Sequence, residues 1–376
     1  MEKTPALFEP LRLGGITLAN RIAVSPMCQY SAENGAANDW HLQHLGSLSL
    51  SGAGLVIVEQ TAVEPAGRIS HGCLGLDSDA NEAALARVVG LCRRAGSAVL
   101  GIQLAHAGRK GSAKLPWEGG GPLAAHAGAW TTAAPSAVPF DTSWPAPEAL
   151  DEAGLARIRD AHAAAAKRAE RLGFDLVELL AAHGFLLHSF LSPITNRRTD
   201  SLGGSLASRM RYPLEVAAAV REVWPGEKAL GMRITGIDWV DGGITPDEAG
   251  VFAGKLRDIG FDYVCVSSGG ISPAARPAIA AGYQVPLAAA VKKASGITVQ
   301  AVGMIVDPHQ AEAIVADGHA DCVALARGFL DDPRWAWHAA AALGADAAYP
   351  RQYLRARPEH WPGAALILRR PTPERR

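Results

Sequence analysis

Charged and polar side chains follow several short apolar runs, at the positions where strands would end. Gly303-Met304 and Ala326-Arg327-Gly328 suit an anion, because backbone N–H groups and a guanidinium both bind phosphate. Arg233 ends another apolar run and needs an anionic partner, since an unpaired buried charge is costly. Further groups that can do chemistry lie in the segments PMCQY (26–30), QLAHAGRK (103–110) and LAAHGF (180–185).

Eight apolar runs, each followed by a helical stretch, would position these residues. The runs are hydrophobic throughout rather than alternating, which is typical of parallel strands buried on both faces. They are Arg21–Met27, Gly54–Val58, Ala98–Leu104, Asp175–Leu180, Ala229–Ile234, Tyr263–Val266, Ile297–Val302 and Cys322–Leu325. We predict an α/β fold, a closed (β/α)8 TIM barrel, in which the carboxyl ends of the strands carry the site. An open doubly wound sheet is the alternative, but it usually has fewer strands.

The 376 residues exceed the roughly 250 of such a barrel. We predict a single domain over residues 1–376, with a β-hairpin cap in residues 1–20 that turns at Gly14-Gly15. A Gly/Pro/Trp loop follows the third strand at 116–144. Residues 344–376 form an Arg-rich C-terminal arm.

Composition limits the functional class. Thirty-six Lys and Arg balance 37 Asp and Glu, so we expect no nucleic-acid partner. No apolar run approaches the ~20 residues of a membrane span, and the first residues do not resemble a signal peptide. The five cysteines contain no CxxC pair, which predicts a reducing, cytoplasmic location.

Taken together, the motifs resemble those of the old yellow enzyme family, FMN-dependent ene-reductases, in its bacterial thermophilic-like subgroup. The matching stretches span nearly the whole chain. They are SPMCQY (25–30), VEQTAV with PAGRI (58–69), GIQLAHAGRK (101–110), AAHGFLLHSFLSPITNRRTD (181–200), GGS (203–205), AVGMI (301–305) and ARGFL (326–330).

The resemblance implies an FMN site with NADPH or NADH as reductant. Its ring would lie against Pro26, Met27 and Gln60, with Cys28 near N5. Gln103 would pair with the pyrimidine edge, and Arg233 would stabilise the anionic reduced ring. The phosphate would be held by Gly303, Met304, Ala326 and Arg327.

The resemblance also implies residues on the substrate side and an oligomer. Tyr30 and His183 would contact an activated alkene. Arg355 would reach the site of a neighbouring subunit, in a homodimer or homotetramer. We expect no metal ion.

Two positions depart from the family pattern, which is His-x-x-His/Asn-Gly-Tyr at the end of the fourth barrel strand. In that pattern, the first His and the His or Asn clamp the carbonyl of an activated alkene, and the Tyr protonates its α-carbon. Leu180 and Phe185 replace the first His and the Tyr, so only His183 remains. We therefore expect catalysis to be impaired or redirected, with the proton supplied by water or Tyr30. Redox-neutral C=C isomerisation or reduction of another acceptor is one alternative, and a non-catalytic ligand-binding barrel is another.

Simpler interpretations exist for individual residues. Cys28 and His183 alone would fit core packing, and Arg233 would fit a pair with Asp238 or Asp241. The segment His106–Lys110 fits either a solvated basic loop or a site lining. His41 and His44 have a spacing that a metal site would use, but they fall in the probable first helix.

Overall fold

The computed structural model describes residues 4–367. The last nine residues of the predicted C-terminal arm, 368–376, lie outside the described residues, and the single-domain interpretation stays a prediction. In chain order, the strands are β1 (Leu11–Leu13), β2 (Ile16–Leu18), β3 (Ile22–Val24), β4 (Leu55–Ala62), β5 (Val99–Ala105), β6 (Ala133–Ala134), β7 (Glu148–Ala149), β8 (Leu176–Ala181), β9 (Ala229–Thr235), β10 (Tyr263–Ser267), β11 (Thr298–Ala301) and β12 (Cys322–Leu325).

Within residues 4–367, eight of these strands close a parallel barrel in the order β3-β4-β5-β8-β9-β10-β11-β12. The last strand pairs with the first, with Val323 opposite Ile22. Each barrel strand falls on one of the eight predicted apolar runs, so the (β/α)8 prediction is confirmed. Nearly every strand residue is buried, because helices cover the outside and side chains fill the inside.

Helices alternate with the barrel strands. They are α1 (Asp39–Ser49), α2 (Asp79–Ala95), α3 (Glu152–Arg171), α4 (Leu186–Leu191), α5 (Leu206–Val223), α6 (Pro246–Ile259), α7 (Val285–Ser295), α8 (Pro308–Ala316), α9 (Arg327–Asp331), α10 (Trp335–Leu343) and α11 (Ala364–Ile367). Helix α6 begins with a capping box, in which Thr245 and Glu248 cap it reciprocally, and Pro246 occupies the first turn. Among residues 4–367, no helix combines the length and apolar character that crossing a membrane requires.

The predicted hairpin is β1 and β2, an antiparallel pair that turns at Gly14-Gly15. Leu13 and Leu18 pack against strand residues such as Leu55 and Leu176, which lie at the amino ends of the barrel strands. The hairpin therefore covers the bottom of the barrel, and the carboxyl ends of the strands face the opposite side.

Candidate active site

A cavity of about 340 Å³ opens at the carboxyl ends of the barrel strands. Six of the predicted site residues line it: His183, Arg233, Gly303, Met304, Ala326 and Arg327. They come from four different strand ends, as expected for an active site in this fold.

One end of the cavity suits an anion. Gly303 and Met304 follow β11 in consecutive left-handed conformations, with φ of 104° and 54°. Other residues rarely adopt the φ of Gly303, and a Cβ there would also come within 2.2 Å of Nε2 of Gln284, so the position favours glycine. Arg327 follows β12 and lines the same space, where its guanidinium can pair with a phosphate.

A row of polar residues crosses the neighbouring strands on the other side of the mouth. Gln60 of β4 lies opposite Gln103 of β5, and Gln103 lies opposite Glu178 of β8. Nε2 of Gln103 donates to Oε1 of Glu178 at 2.7 Å, and Tyr263 donates its hydroxyl to Oε2 at 2.8 Å. Burial raises the pKa of Glu178, and Arg233 opposes that shift. Glu178 thus fixes the orientation of the Gln103 amide.

The residues present fit a flavin. Among the described residues, Nε2 of Gln60 and Nε of Arg233 are buried without a hydrogen-bond partner. Buried polar groups are rarely left unpaired in native proteins, so these two atoms indicate a polar ligand. The carboxylate that acts on Arg233 is Glu178, whereas Asp238, the simpler candidate from sequence, accepts from Ser192 and lies 2.9 Å from His188.

Pro26, Met27 and Cys28 follow β3 beside this row. Met27 packs against the core, and Sγ of Cys28 lies 3.8 Å from Oε1 of Gln60. Burial, followed by the neighbouring Cys73 and Glu59, raises the pKa of the Cys28 thiol well above its usual value. Cys28 is therefore a neutral thiol that can donate a hydrogen bond, and not a thiolate.

His183 lines the cavity and adjoins the apolar side chains of Leu180 and Phe185. Its Nε2 is 2.7 Å from Oγ of Ser267, whose hydroxyl also reaches Oε1 of Gln284 at 3.3 Å. Since the Gln284 oxygen can only accept, Ser267 donates to it and accepts from Nε2–H of His183. Burial, with the charges of Arg233 and Lys110, holds the pKa of His183 well below its usual range, so the ring is neutral.

Leu180 and Phe185 form an apolar cluster with Ala105 and Ala182 beside His183. Leu180 lies opposite Arg233 in the β8–β9 register, so its position faces the site as the sequence predicts. Neither side chain has a polar hydrogen, and this part of the mouth is consequently without a hydrogen-bond donor from either residue.

The segment after β5 is not a solvated loop. His106 is buried, accepts from Gly108 N at Nδ1, and therefore donates from Nε2 to Glu64 at 2.9 Å. Burial lowers the pKa of His106 to about 4, in agreement with a neutral ring. Arg109 is buried as well, and Lys110 reaches the His183 carbonyl at 2.7 Å.

Three further residues that the sequence analysis singled out do not line this cavity. Tyr30 contacts Trp117 edge-to-face at 6.1 Å between ring centroids. Arg355 is exposed in the 3-10 helix Arg351–Ala356 and is not among the residues that line the cavity of its own chain. His41, one of the two histidines with metal-like spacing, is buried 3.5 Å from Glu59 and caps α1.

Sequence reasoning missed Glu178, Tyr263, Ser267 and Gln284, and it named Lys110 only within a segment that could line the site. Glu178 could have been recognised from the sequence, because a carboxylate within the apolar run Asp175–Leu180 is buried and needs a hydrogen-bond donor. Ser267 and Gln284 gave no such signal, because serine and glutamine are ordinary at the ends of strands and helices.

A parallel barrel whose mouth combines an anion cradle with unpaired polar atoms fits the class of oxidoreductases that bind a flavin mononucleotide. The chain matches the NADH:flavin oxidoreductase / NADH oxidase family over residues 6–345. It belongs to that family, the old yellow enzyme family of the sequence resemblance.

Individual relatives agree with this assignment. The chain is 41% identical over 351 residues to an NADPH dehydrogenase of Geobacillus thermodenitrificans, and the aligned region covers 93% of this chain and 98% of the relative. An NADPH dehydrogenase of Listeria monocytogenes is 41% identical over 352 residues, with the same coverage. The structure of morphinone reductase in complex with tetrahydroNAD superposes with a TM-score of 0.75 at 28% identity, covering 92% of this chain and 93% of that one. The protein is therefore an FMN-dependent NAD(P)H oxidoreductase.

Proposed function

We propose that this enzyme reduces activated C=C bonds, such as those of enones and enals, and that it does so slowly. The proposal depends on the apolar cluster of Leu180 and Phe185 beside His183. The residues on the cofactor side of the same mouth fit FMN. FMN held by these residues would supply hydride transfer to the alkene, with NADPH or NADH as the reductant.

The chain's own residues would bind and orient both partners. We assign Gln60, Gln103 and Arg233 to the flavin ring, with Pro26, Met27 and Cys28 beside it. Gly303, Met304, Ala326 and Arg327 are assigned to the phosphate. His183 would hold the substrate carbonyl, and its Nε2–H must leave Ser267 to do so. Because Leu180 offers no second donor, the developing negative charge on that oxygen is stabilised less well; one such donor is worth ~2.7–4 kcal/mol.

The test restores the missing groups. Leu180→His is expected to raise the rate at which 2-cyclohexenone reoxidises the reduced enzyme by about 10²–10³. Phe185→Tyr is expected to raise it by a smaller factor than Leu180→His does, and the double variant by less than the product of the two. Stopped-flow absorbance measures these rates anaerobically, and the rate of reduction by NADPH should stay unchanged.

Phe140→Tyr is the matched control, since its ring also flanks Lys110 and gains the same hydroxyl. It should not accelerate reoxidation. Unchanged rates in both the Leu180 and Phe185 variants would contradict the proposal. So would a substrate whose double bond migrates without consumption of NADPH, which would favour isomerisation.

We also propose a cytoplasmic homodimer or homotetramer in which Arg355 reaches a neighbouring subunit's site. Two observations support it: Arg355 is exposed, and the five cysteines are all unpaired thiols, as in a reducing compartment. Sedimentation should give more than the 39.3 kDa of one chain. Arg355→Ala should then change KM for the alkene without changing flavin binding.

A further inference from the structure

Lys110 places an amine beside the residue that replaces the family's proton donor. Its Nζ lies 5.2 Å from the centroid of the Phe185 ring and 4.8 Å from that of Phe140. It donates to the carbonyl oxygens of His183 at 2.7 Å and of Gly270 at 3.2 Å. An ammonium has three N–H donors, so one remains after these two bonds.

No carboxylate of the described residues lies within ion-pair distance of Lys110. The titratable groups that interact with it are the guanidinium of Arg109 and the neutral ring of His183, and the charge of Asp238 acts on Arg109. Burial, with some help from Arg109, lowers the pKa of Lys110 to about 8. The amine is therefore protonated at neutral pH and gives up its proton more readily than an exposed lysine.

The segment that carries Lys110 is held rigidly. His106 anchors its start through Gly108 and Glu64. Arg109 donates to the carbonyls of Pro139 at 2.7 Å and of Ile271, which tie down the loops on both sides. A fixed donor is what proton transfer requires, because the donor must stay within hydrogen-bond reach of the reacting atom.

We propose that Lys110 protonates the α-carbon of the substrate in place of the missing tyrosine. The proposal rests on the proposed function. The hydride adds to the β-carbon and supplies both electrons. The π bond breaks, and its electron pair takes the proton from Nζ at the α-carbon. Lys110 is left as a neutral amine that regains a proton from water. One alkene, one NAD(P)H and one proton thus give one saturated product and one NAD(P)⁺.

The experiment compares Lys110→Met, Lys110→Arg and the double variant Lys110→Met/Phe185→Tyr, all as FMN-loaded enzymes. Lys110→Met should slow reoxidation by 2-cyclohexenone by about 10² or more, with the rate of reduction by NADPH unchanged. Wild-type reoxidation should fall as pH rises past about 8. Lys110→Arg keeps the bonds to the two carbonyls but stays protonated, so it should be slow and should lose this pH dependence.

Rescue separates proton donation from support of the backbone. Phe185→Tyr should restore reoxidation in the Lys110→Met background if the missing function is a proton. Failure of rescue would overturn the proposal, since it would indicate a purely structural role. Lys110→Met with wild-type reoxidation would also overturn it, in favour of water or Tyr30. A wild-type enzyme that never passes electrons to the enone would instead refute the proposed function itself.

Discussion

Tyr263→Phe should destabilise the barrel by a pH-dependent amount. The tyrosine is fully buried and donates its hydroxyl to Glu178 at 2.8 Å. A hydrogen bond to a charged group contributes ~1.5–3 kcal/mol. An unfolding entropy of about 2.1 cal/mol/K per residue over 376 residues gives about 0.8 kcal/mol/K. The variant's Tm should therefore fall by roughly 2–4 °C.

The direction of the pH effect follows from Glu178. Burial raises its pKa in the folded state, so the folded protein binds this proton more tightly than the unfolded chain does. Protonation of Glu178 therefore stabilises the folded state at low pH. That stability is lost as pH rises through the folded-state pKa. Removing the Tyr263 hydroxyl takes away a donor to the ionised form and raises this pKa further. The loss in Tm should be greater at a pH where Glu178 is ionised than at a pH where it is protonated.

Thermal melts at a fixed scan rate, followed by circular dichroism, measure the difference. Tyr212→Phe is the matched control, because its buried hydroxyl donates to the carbonyl of Leu155 at 3.1 Å, an acceptor that does not ionise. Its Tm loss should be the same at both pH values. Equal losses for the two variants at both pH values would refute the role assigned to Glu178.

Two further predictions concern the cofactor side. Arg327→Ala should weaken FMN binding by about 10–100-fold, because charge-assisted hydrogen bonds to phosphate are lost, whereas riboflavin, which lacks the phosphate, should bind as before. Fluorescence titration of the apoprotein measures both affinities. An equal loss of affinity for FMN and riboflavin would exclude a phosphate contact. Cys28 should react with iodoacetamide more slowly than a free thiol at about pH 8, because burial raises its pKa. Peptide mapping by mass spectrometry measures that rate, and modification as fast as that of free cysteine would contradict a neutral thiol.

The sequence was sufficient to predict the barrel, because its signal is local. Each apolar run such as Gly54–Val58 is buried on both faces and must become a central parallel strand. Boundaries were less accurate: β4 continues to Ala62, past a register shift between Val58 and Gln60. The run beginning at Arg21 ends as a strand at Val24, since the residues that follow it leave the ladder.

The site was predicted only in part, since contacts between distant loops have no local signal. Lys110 and Gly270 meet across 160 positions of sequence, and His183 and Ser267 across 84. The short strands β6 and β7 in the loop after β5 were also missed. Leu180 and Phe185, in contrast, were identified because the neighbouring motif fixed what those positions normally hold.

The pairing of Val323 with Ile22 has a consequence for synthesis of the protein on the ribosome. While the chain is growing, β3 keeps an exposed edge of backbone N–H and C=O groups until β12 has emerged about 300 residues later. Contacts between such distant segments form slowly, so the nascent polypeptide stays open to strand addition for most of its translation. Arg327 lies two residues after the closing strand, so the phosphate contact proposed for it cannot form until that strand has emerged.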